Sequence, residues 1–344
     1  MQALKIFPVE PLEIALGGGQ SLRAAPGTCV RGQMDLIELA DGTPVRFPLV
    51  VVNGVRPGPR FYLGAAVHGD EVNGIAILSQ VIASIDPQQL AGSIVCVPVQ
   101  HPLAFYADHR FPVSQFMKSP LDQAPIDAWT VFPGDLHGNL SQIVAAKLFA
   151  LIRQCSCAID IHTPTRGGRY VPIAILPSMS LGPAAERALW LAEQCATGFI
   201  VQGERGMYVS RGICCVEATA AGVPAFTFEI GEGGRLESEV TDAGVRCIQN
   251  ALIGLGMVSG ERRLPAVSHL MHDFLGLRAT RGGLLRTEVA LGAVVEAGQR
   301  LATITNIFGD TVETITAPQA GVFVRSTTLS NLSGGERAAT LGIK

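Results

Sequence analysis

The hydrophobic pattern of the chain falls into short apolar runs separated by Gly, Pro and acidic residues, and the runs alternate between strand and helix periods. DLIELADGTPVRFPLVVV, within residues 35 to 53, reads as two strands around a turn at Ala40-Asp41-Gly42. RPGPR at 56 to 60 reads as a further turn, and FYLGAAV at 61 to 67 as a fully apolar strand. From Glu71 to Ile85 the apolar positions Val72, Ile75, Ala76, Leu78, Ile82 and Ala83 recur with a helical period, and SIVCVPV at 93 to 99 returns to strand. Strand, helix and strand over so short a span are the signature of a βαβ unit, whose crossover favours a parallel pair and a covered sheet.

The alternation resumes further on, with helix at 140 to 153, strands CAIDI at 157 to 161 and YVPIAIL at 170 to 176, and helix at 182 to 196. The strand VPAFTFEI at 223 to 230 and a helix at 240 to 256 complete the series. Between the two blocks, residues 101 to 139 are rich in Pro, His, Phe and Asp and show little period. A long irregular stretch inside a compact α/β unit is usually functional. Past residue 265 the texture becomes short apolar runs (LLRTEVAL, RLATITNI, GVFVRSTTL) cut by Gly, Asn, Asp and Pro, as in a small β-barrel or sandwich. The expected organisation is therefore an α/β domain over residues 1–265 and an all-β domain over residues 266–344.

Composition narrows the function classes. Of 344 residues 48% are hydrophobic and 16% charged, and the net charge of −3 gives no general attraction to nucleic acid or to an anionic membrane. MQALKIFPVEPLEIALGGG has neither the basic start nor the apolar core of a secretory signal, and no later segment reaches the roughly 18 apolar residues of a membrane helix. A cytoplasmic location is expected. The eight cysteines lie in mostly apolar surroundings without a CxxC pair, so buried free thiols are expected. No GxxxxGK[ST] is present to cradle a nucleotide phosphate.

Candidate chemistry gathers at strand ends, where open α/β sheets bind ligands. His68 and Glu71 follow the FYLGAAV strand in GAAVHGDEVNG, and His162 follows CAIDI. A lone His beside a strand is more often a hydrogen-bonded structural residue. Two imidazoles and a carboxylate placed jointly, with one position left for water, have the ligand chemistry of a catalytic zinc. Glu229 holds the matching position at the end of VPAFTFE, where a general base would take a proton and pass it to a leaving nitrogen. Glu232, already in the glycine-rich segment, is the less apt competitor. Asp160, two residues before His162, shares its face of the strand, which suits either an orienting partner for the ligand or a structural hydrogen bond.

HGDExxG, the later DIHT and TFEIGEGG together resemble the zinc carboxypeptidase superfamily, and more closely its succinylglutamate desuccinylase/aspartoacylase branch. The resemblance covers essentially the whole chain. It implies a mixed central sheet followed by a C-terminal β domain, one zinc ion held by His68, Glu71 and His162, Glu229 as general base, and hydrolysis of a small N-acylated amino acid or amine. PLAFYADHR resembles the family segment ending in the arginine that polarises the scissile carbonyl, which gives that part to Arg110. In DAWTVFPG the chain departs from the pattern: Trp129 and Thr130 stand where the family commonly has the Asn-Arg pair that grips a substrate carboxylate, and His101 stands where an Asn often precedes the Pro. Arg166 and Arg169, directly after the third ligand, are candidates for a substitute anion contact. The partners implied are a small N-acyl molecule and no nucleic acid or membrane, with a homo-oligomer left open.

Rival readings are a carboxypeptidase acting on a short peptide and a catalytically silent relative that binds metal without turnover. The stretch 295 to 324 is similar to lipoyl- and biotinyl-carrier folds, but no Lys exists between 148 and 343 to carry a cofactor. A role in covering the active-site mouth or in assembly is expected instead.

Overall fold

The computed structural model describes residues 4–117 and 126–344; residues 118–125 of the irregular stretch lie outside the described residues. The hairpin β1 (Leu12–Gly17) and β2 (Gln20–Ala24) leads into the antiparallel pair β3 (Thr28–Glu38) and β4 (Pro44–Asn53), and then into the unit β5 (Arg56–Ala65), α1 (Asn73–Ser84) and β6 (Ala91–Val97). Two short helices, α2 (Pro102–Tyr106) and α3 (Ser114–Met117), occupy the irregular stretch. They are followed by α4 (Leu140–Ile152), β7 (Cys157–His162), β8 (Gly168–Ile175), α5 (Pro183–Cys195), β9 (Phe199–Val201), α6 (Cys214–Ala220), β10 (Ala225–Glu232) and α7 (Ser238–Gly254).

The remaining elements are all strands: β11 (His269–Met271), β12 (Asp273–Arg278), β13 (Gly283–Thr287), β14 (Val294–Val295), β15 (Arg300–Thr305), β16 (Thr311–Thr316), β17 (Gly321–Thr327), β18 (Asn331–Leu332) and β19 (Arg337–Ile343). The fold class expected from the pattern, a mixed α/β sheet with an antiparallel all-β C-terminal region, is the one observed. Among the described residues, no helix is long and apolar enough to cross a membrane.

The central sheet runs β12-β19-β17-β8-β10-β7-β5-β6-β4-β3. Its middle is parallel, with β10 beside β7, β7 beside β5 and β5 beside β6. From β5 the chain crosses to β6 on one side and then returns to β7 on the other, so β5 is the strand at which the order reverses. The crevice beyond its carboxyl end is where such sheets bind ligands. Side chains alternate across the sheet. Phe61, Leu63, Ile159, Phe226 and Phe228 meet α1, α5 and α7 on one face, through Ile77, Leu191 and Ile248. Tyr62, Ala158 and Ala225 meet α4 and α6 on the other, with Leu148, Ile152 and Val216.

The C-terminal region is joined to this sheet by strand pairing. β17 hydrogen-bonds to β8 in antiparallel register, with Arg325 opposite Tyr170 and Thr327 opposite Gly168. β13, β15, β16 and β18 form a second, four-stranded sheet.

Three details differ from the pattern reading. RPGPR is not a turn but the start of β5, where the register shifts between Arg56 and Arg60. Its prolines have no N–H to give, and the backbone of Gly58 between them is taken by Phe7 through bonds of 2.8 and 3.2 Å. The β1–β2 hairpin, β9 and α6 are elements the pattern did not mark. Finally, seven cysteines are buried free thiols as expected, but Cys29 is exposed.

Candidate metal centre

His68 lies three residues beyond the end of β5, in a loop pressed against another backbone. A Cβ on Gly69 would sit 1.8 Å from the carbonyl oxygen of Ala104 in α2, so only glycine fits the second position of the HGDE loop. The Gly69 N–H donates to the carbonyl of His109 at 3.0 Å, and that of Glu71 to the carbonyl of His68 at 3.2 Å. This turn brings the Glu71 carboxylate back onto His68, with Nδ1 of His68 2.7 Å from its Oε1. From the neighbouring strand β7, Nδ1 of His162 lies 3.0 Å from Oε2 of the same carboxylate. All three residues are 2% exposed, and their ligand atoms lie within 4.8 Å of one another.

The outer nitrogens of both rings are engaged by carboxylates. Nε2 of His68 lies 3.0 Å from Oδ1 of Asp127, and Nε2 of His162 lies 2.8 Å from Oδ2 of Asp160. An ionised carboxylate only accepts, so with Nε2–H given to Asp127 and Asp160 a neutral ring presents its Nδ1 lone pair inward, toward Glu71. A lone pair facing a carboxylate oxygen at 2.7 Å needs a cation between them, a metal ion or a proton. The same surroundings favour positive charge on the rings themselves. Burial alone would lower both imidazoles, but the carboxylates outweigh it, Glu71 at His68 and Asp160 with Glu71 at His162, and both are raised. Two imidazole nitrogens and a carboxylate oxygen converging in this way, with no thiolate, fit a catalytic zinc better than a structural one.

Glu229 stands directly opposite His162 in the parallel β10–β7 register. It is 5% exposed; its Oε1 accepts the hydroxyl hydrogen of Tyr208 at 2.8 Å, while Oε2 is buried without a partner among the described residues. Burial, and then the charge of Glu71, hold its carboxyl above the ordinary range, which suits a group that must take up a proton. Glu232, the competing acid, accepts from the Thr328 hydroxyl at 2.7 Å.

Arg110 donates through Nε and Nη2 to Oδ2 of Asp127 at 3.0 and 2.6 Å. This leaves Nη1 3.3 Å from Nδ1 of His68 and 3.8 Å from Oε1 of Glu71, facing the point on which the ligands converge. Asp127, which the sequence reading passed over, thus orients both the His68 ring and the guanidinium. Burial opposes its ionisation, but His68 and then Arg110 hold its carboxyl well below the usual range. The available signal was its place two residues ahead of Trp129, whose N–H it caps at 3.0 Å.

Trp129 forms a wall, its ring centre 5.2 Å from that of His162 and 5.4 Å from that of Tyr208. Thr130 does not reach the site; its hydroxyl donates to the Asp127 carbonyl at 3.0 Å. Arg166 and Arg169 are also directed elsewhere, Arg166 to the Asp108 carboxylate and Arg169 to Glu237 at 2.9 Å. His68, Glu71, His162, Arg110, Trp129 and Glu229 share one cavity of about 300 Å³. The arginines in its wall besides Arg110 are Arg325 of β17 and Arg337 of β19, from the C-terminal region. Neither was singled out from the sequence. A second cavity of about 180 Å³ adjoins it across Tyr170, Met207, Tyr208 and Arg337.

Comparison with known proteins bears on the family and the fold. The profile of the succinylglutamate desuccinylase/aspartoacylase catalytic domain matches residues 57–255. The chain is 25% identical over 267 residues to the N-alpha-acetyl-L-2,4-diaminobutyric acid deacetylase of Halomonas elongata, spanning 76% of this chain and 74% of that protein. Its fold is similar to that of the product-bound ectoine utilization protein EutE (DoeB) from Ruegeria pomeroyi, with a TM-score of 0.78, 23% identity and complete coverage of both chains. A succinylglutamate desuccinylase structure from a Silicibacter species gives a TM-score of 0.77 at 22% identity, over 100% of this chain and 99% of that one.

Proposed function

The chain belongs to the succinylglutamate desuccinylase/aspartoacylase family, and from that premise we propose that it is a zinc-dependent hydrolase that cleaves the amide bond of a small N-acylated amino acid or amine. The observation that carries this reading is the inward turn of two Nδ1 atoms toward Glu71, enforced by Asp127 and Asp160 on the outer nitrogens. A zinc ion held by His68, Glu71 and His162 would supply Lewis acidity toward the amide carbonyl and the attacking water.

The remaining chemistry falls to the chain's own groups. Glu229 takes a proton from the water through its free Oε2 and returns it to the leaving nitrogen, while the Tyr208 hydroxyl keeps Oε1 fixed. Nη1 of Arg110 donates to the carbonyl oxygen as negative charge develops there; Asp127 holds the guanidinium in place beforehand, so little reorganisation is needed during the reaction. Trp129 closes one side of the cavity to water.

The Halomonas relative is a deacetylase of an N-acetylated diamino acid, which makes N-acetyl amino acids the first compounds to assay here, with N-succinyl and N-formyl compounds beside them. The expected result is one zinc per chain and release of free amine that stops on chelation and resumes with added zinc. Zinc-free protein with full turnover, or fully loaded protein that cleaves no member of the panel, would overturn the reading.

A further inference from the structure

Arg325 and Arg337 enter the cavity wall from β17 and β19, on the side contributed by the C-terminal region. Neither guanidinium makes an ion pair among the described residues, whereas Arg110 is neutralised by Asp127, Arg166 by Asp108 and Arg169 by Glu237. The hydrogen bond found for the Arg325 side chain is a long one, 3.4 Å from Nη1 to the Thr327 hydroxyl. Its position is nevertheless defined. β17 is locked to β8 with Arg325 opposite Tyr170, and its Nη2 would lie 2.3 Å from a Cβ on Gly168, so the guanidinium rests on glycine backbone that any other residue would obstruct. Arg325 is partly buried, and burial holds its guanidinium below the ordinary value, opposed but not overcome by Tyr170. Arg325 is partly desolvated, Arg337 is exposed, and neither is compensated by protein, so two like charges meet at one cavity wall at a cost that a ligand of opposite charge would offset.

We propose that Arg325 and Arg337 form the anion anchor of this site, binding a carboxylate of the substrate at the end of the cavity remote from β5. The carboxylate it takes lies in either the amine half or the acyl half of the N-acyl compound. A guanidinium presents paired donors that match a carboxylate, and the two together would set which end of the substrate enters first. This inference rests on the hydrolase reading for the identity of the substrate but not for the existence of the anion subsite.

The test reads binding without turnover, by calorimetric titration of zinc-loaded Glu229→Gln protein with three ligands. N-acetylglycinamide carries no carboxylate, N-acetylglycine carries one in the amine half, and N-succinylglycinamide carries one in the acyl half. At least one acid is expected to bind ten-fold or more tightly than N-acetylglycinamide, and the one that does identifies the half. Adding Arg325→Met is expected to remove that preference and Arg337→Gln to reduce it, with binding of the neutral ligand and the melting temperature unchanged. Equal binding of all three ligands, a preference that survives both replacements, or a preference lost only together with the fold would overturn the proposal. If wild-type protein hydrolyses no N-acyl compound, the catalytic reading fails while the binding comparison still decides the anchor.

Discussion

Asp127 divides its two carboxylate oxygens between functions, Oδ1 lying 3.0 Å from Nε2 of His68 and Oδ2 receiving two bonds from Arg110. One short segment therefore sets both the orientation of the His68 ring and the aim of a guanidinium. Replacing Asp127 by Ala is expected to lower zinc affinity by roughly 10- to 100-fold, the usual effect of losing the partner of a ligating histidine. Turnover at saturating zinc should also fall, because Arg110 is no longer held. Zinc competition titration and assays at high zinc separate the two effects; an unchanged zinc affinity would show that His68 needs no orientation from Asp127.

Glu229→Gln is expected to retain zinc and to lose about 10²- to 10⁴-fold in kcat, the range for removing a general base. Wild-type turnover in this variant would take Glu229 out of the mechanism.

Tyr208→Phe should act on Glu229 in a different way. The hydroxyl donates to Oε1 at 2.8 Å and so favours the ionised carboxylate; without it the carboxyl pKa rises further. The acidic limb of the kcat/KM profile is expected to move to higher pH, with activity on the alkaline plateau less affected. A limb that stays where it is in wild type would mean that another group controls it.

His101 gives a stability prediction with a definite sign. It is 1% exposed, neither ring nitrogen has a hydrogen-bond partner among the described residues, and burial, reinforced by His68, pushes its pKa down to about 4. The folded state thus binds the proton less readily than the unfolded chain. The stabilising contribution is complete above the unfolded value near 6.5 and is lost as pH falls from there through about 4, up to about 3 kcal/mol in all. In urea titrations wild-type protein should lose stability over this interval more steeply than His101→Asn. Parallel curves would contradict it.

Gly69→Ala tests the seat of the ligand loop. The added methyl would meet the Ala104 carbonyl at 1.8 Å, backbone against which nothing flexible can yield. A loss of about 1–3 kcal/mol in stability is expected, as for overpacking elsewhere, together with weaker zinc binding as the loop is displaced. A variant that binds zinc and unfolds like wild type would mean that the loop can move.

The sequence made His68, Glu71, His162 and Glu229 legible for one reason: the first three lie at or just past the carboxyl end of a strand and Glu229 at the last pair of the parallel β10–β7 ladder, so parallel neighbours bring them to the same edge. Arg110 was reached through resemblance alone. Asp127 was hidden because it lies in an aperiodic stretch where no pattern tells an orienting acid from a solvated one. Arg325 and Arg337 depend on a pairing between strands some 150 residues apart, β8 and β17, that no local signal encodes. Arg166 and Arg169 show the converse: proximity in sequence to His162 did not bring them into the cavity, because nearby acids hold both.

The seam between β8 and β17 also decides what happens when the chain is shortened. Ending it near residue 265 would remove β17 and bare the backbone of β8 that it covers, leaving an unprotected strand border open to pairing with other molecules. Such a fragment would keep His68, Glu71 and His162 in its sequence and yet be prone to self-association, with its cavity open on one flank. The two regions are therefore best regarded as an inseparable unit rather than as a catalyst with a detachable accessory.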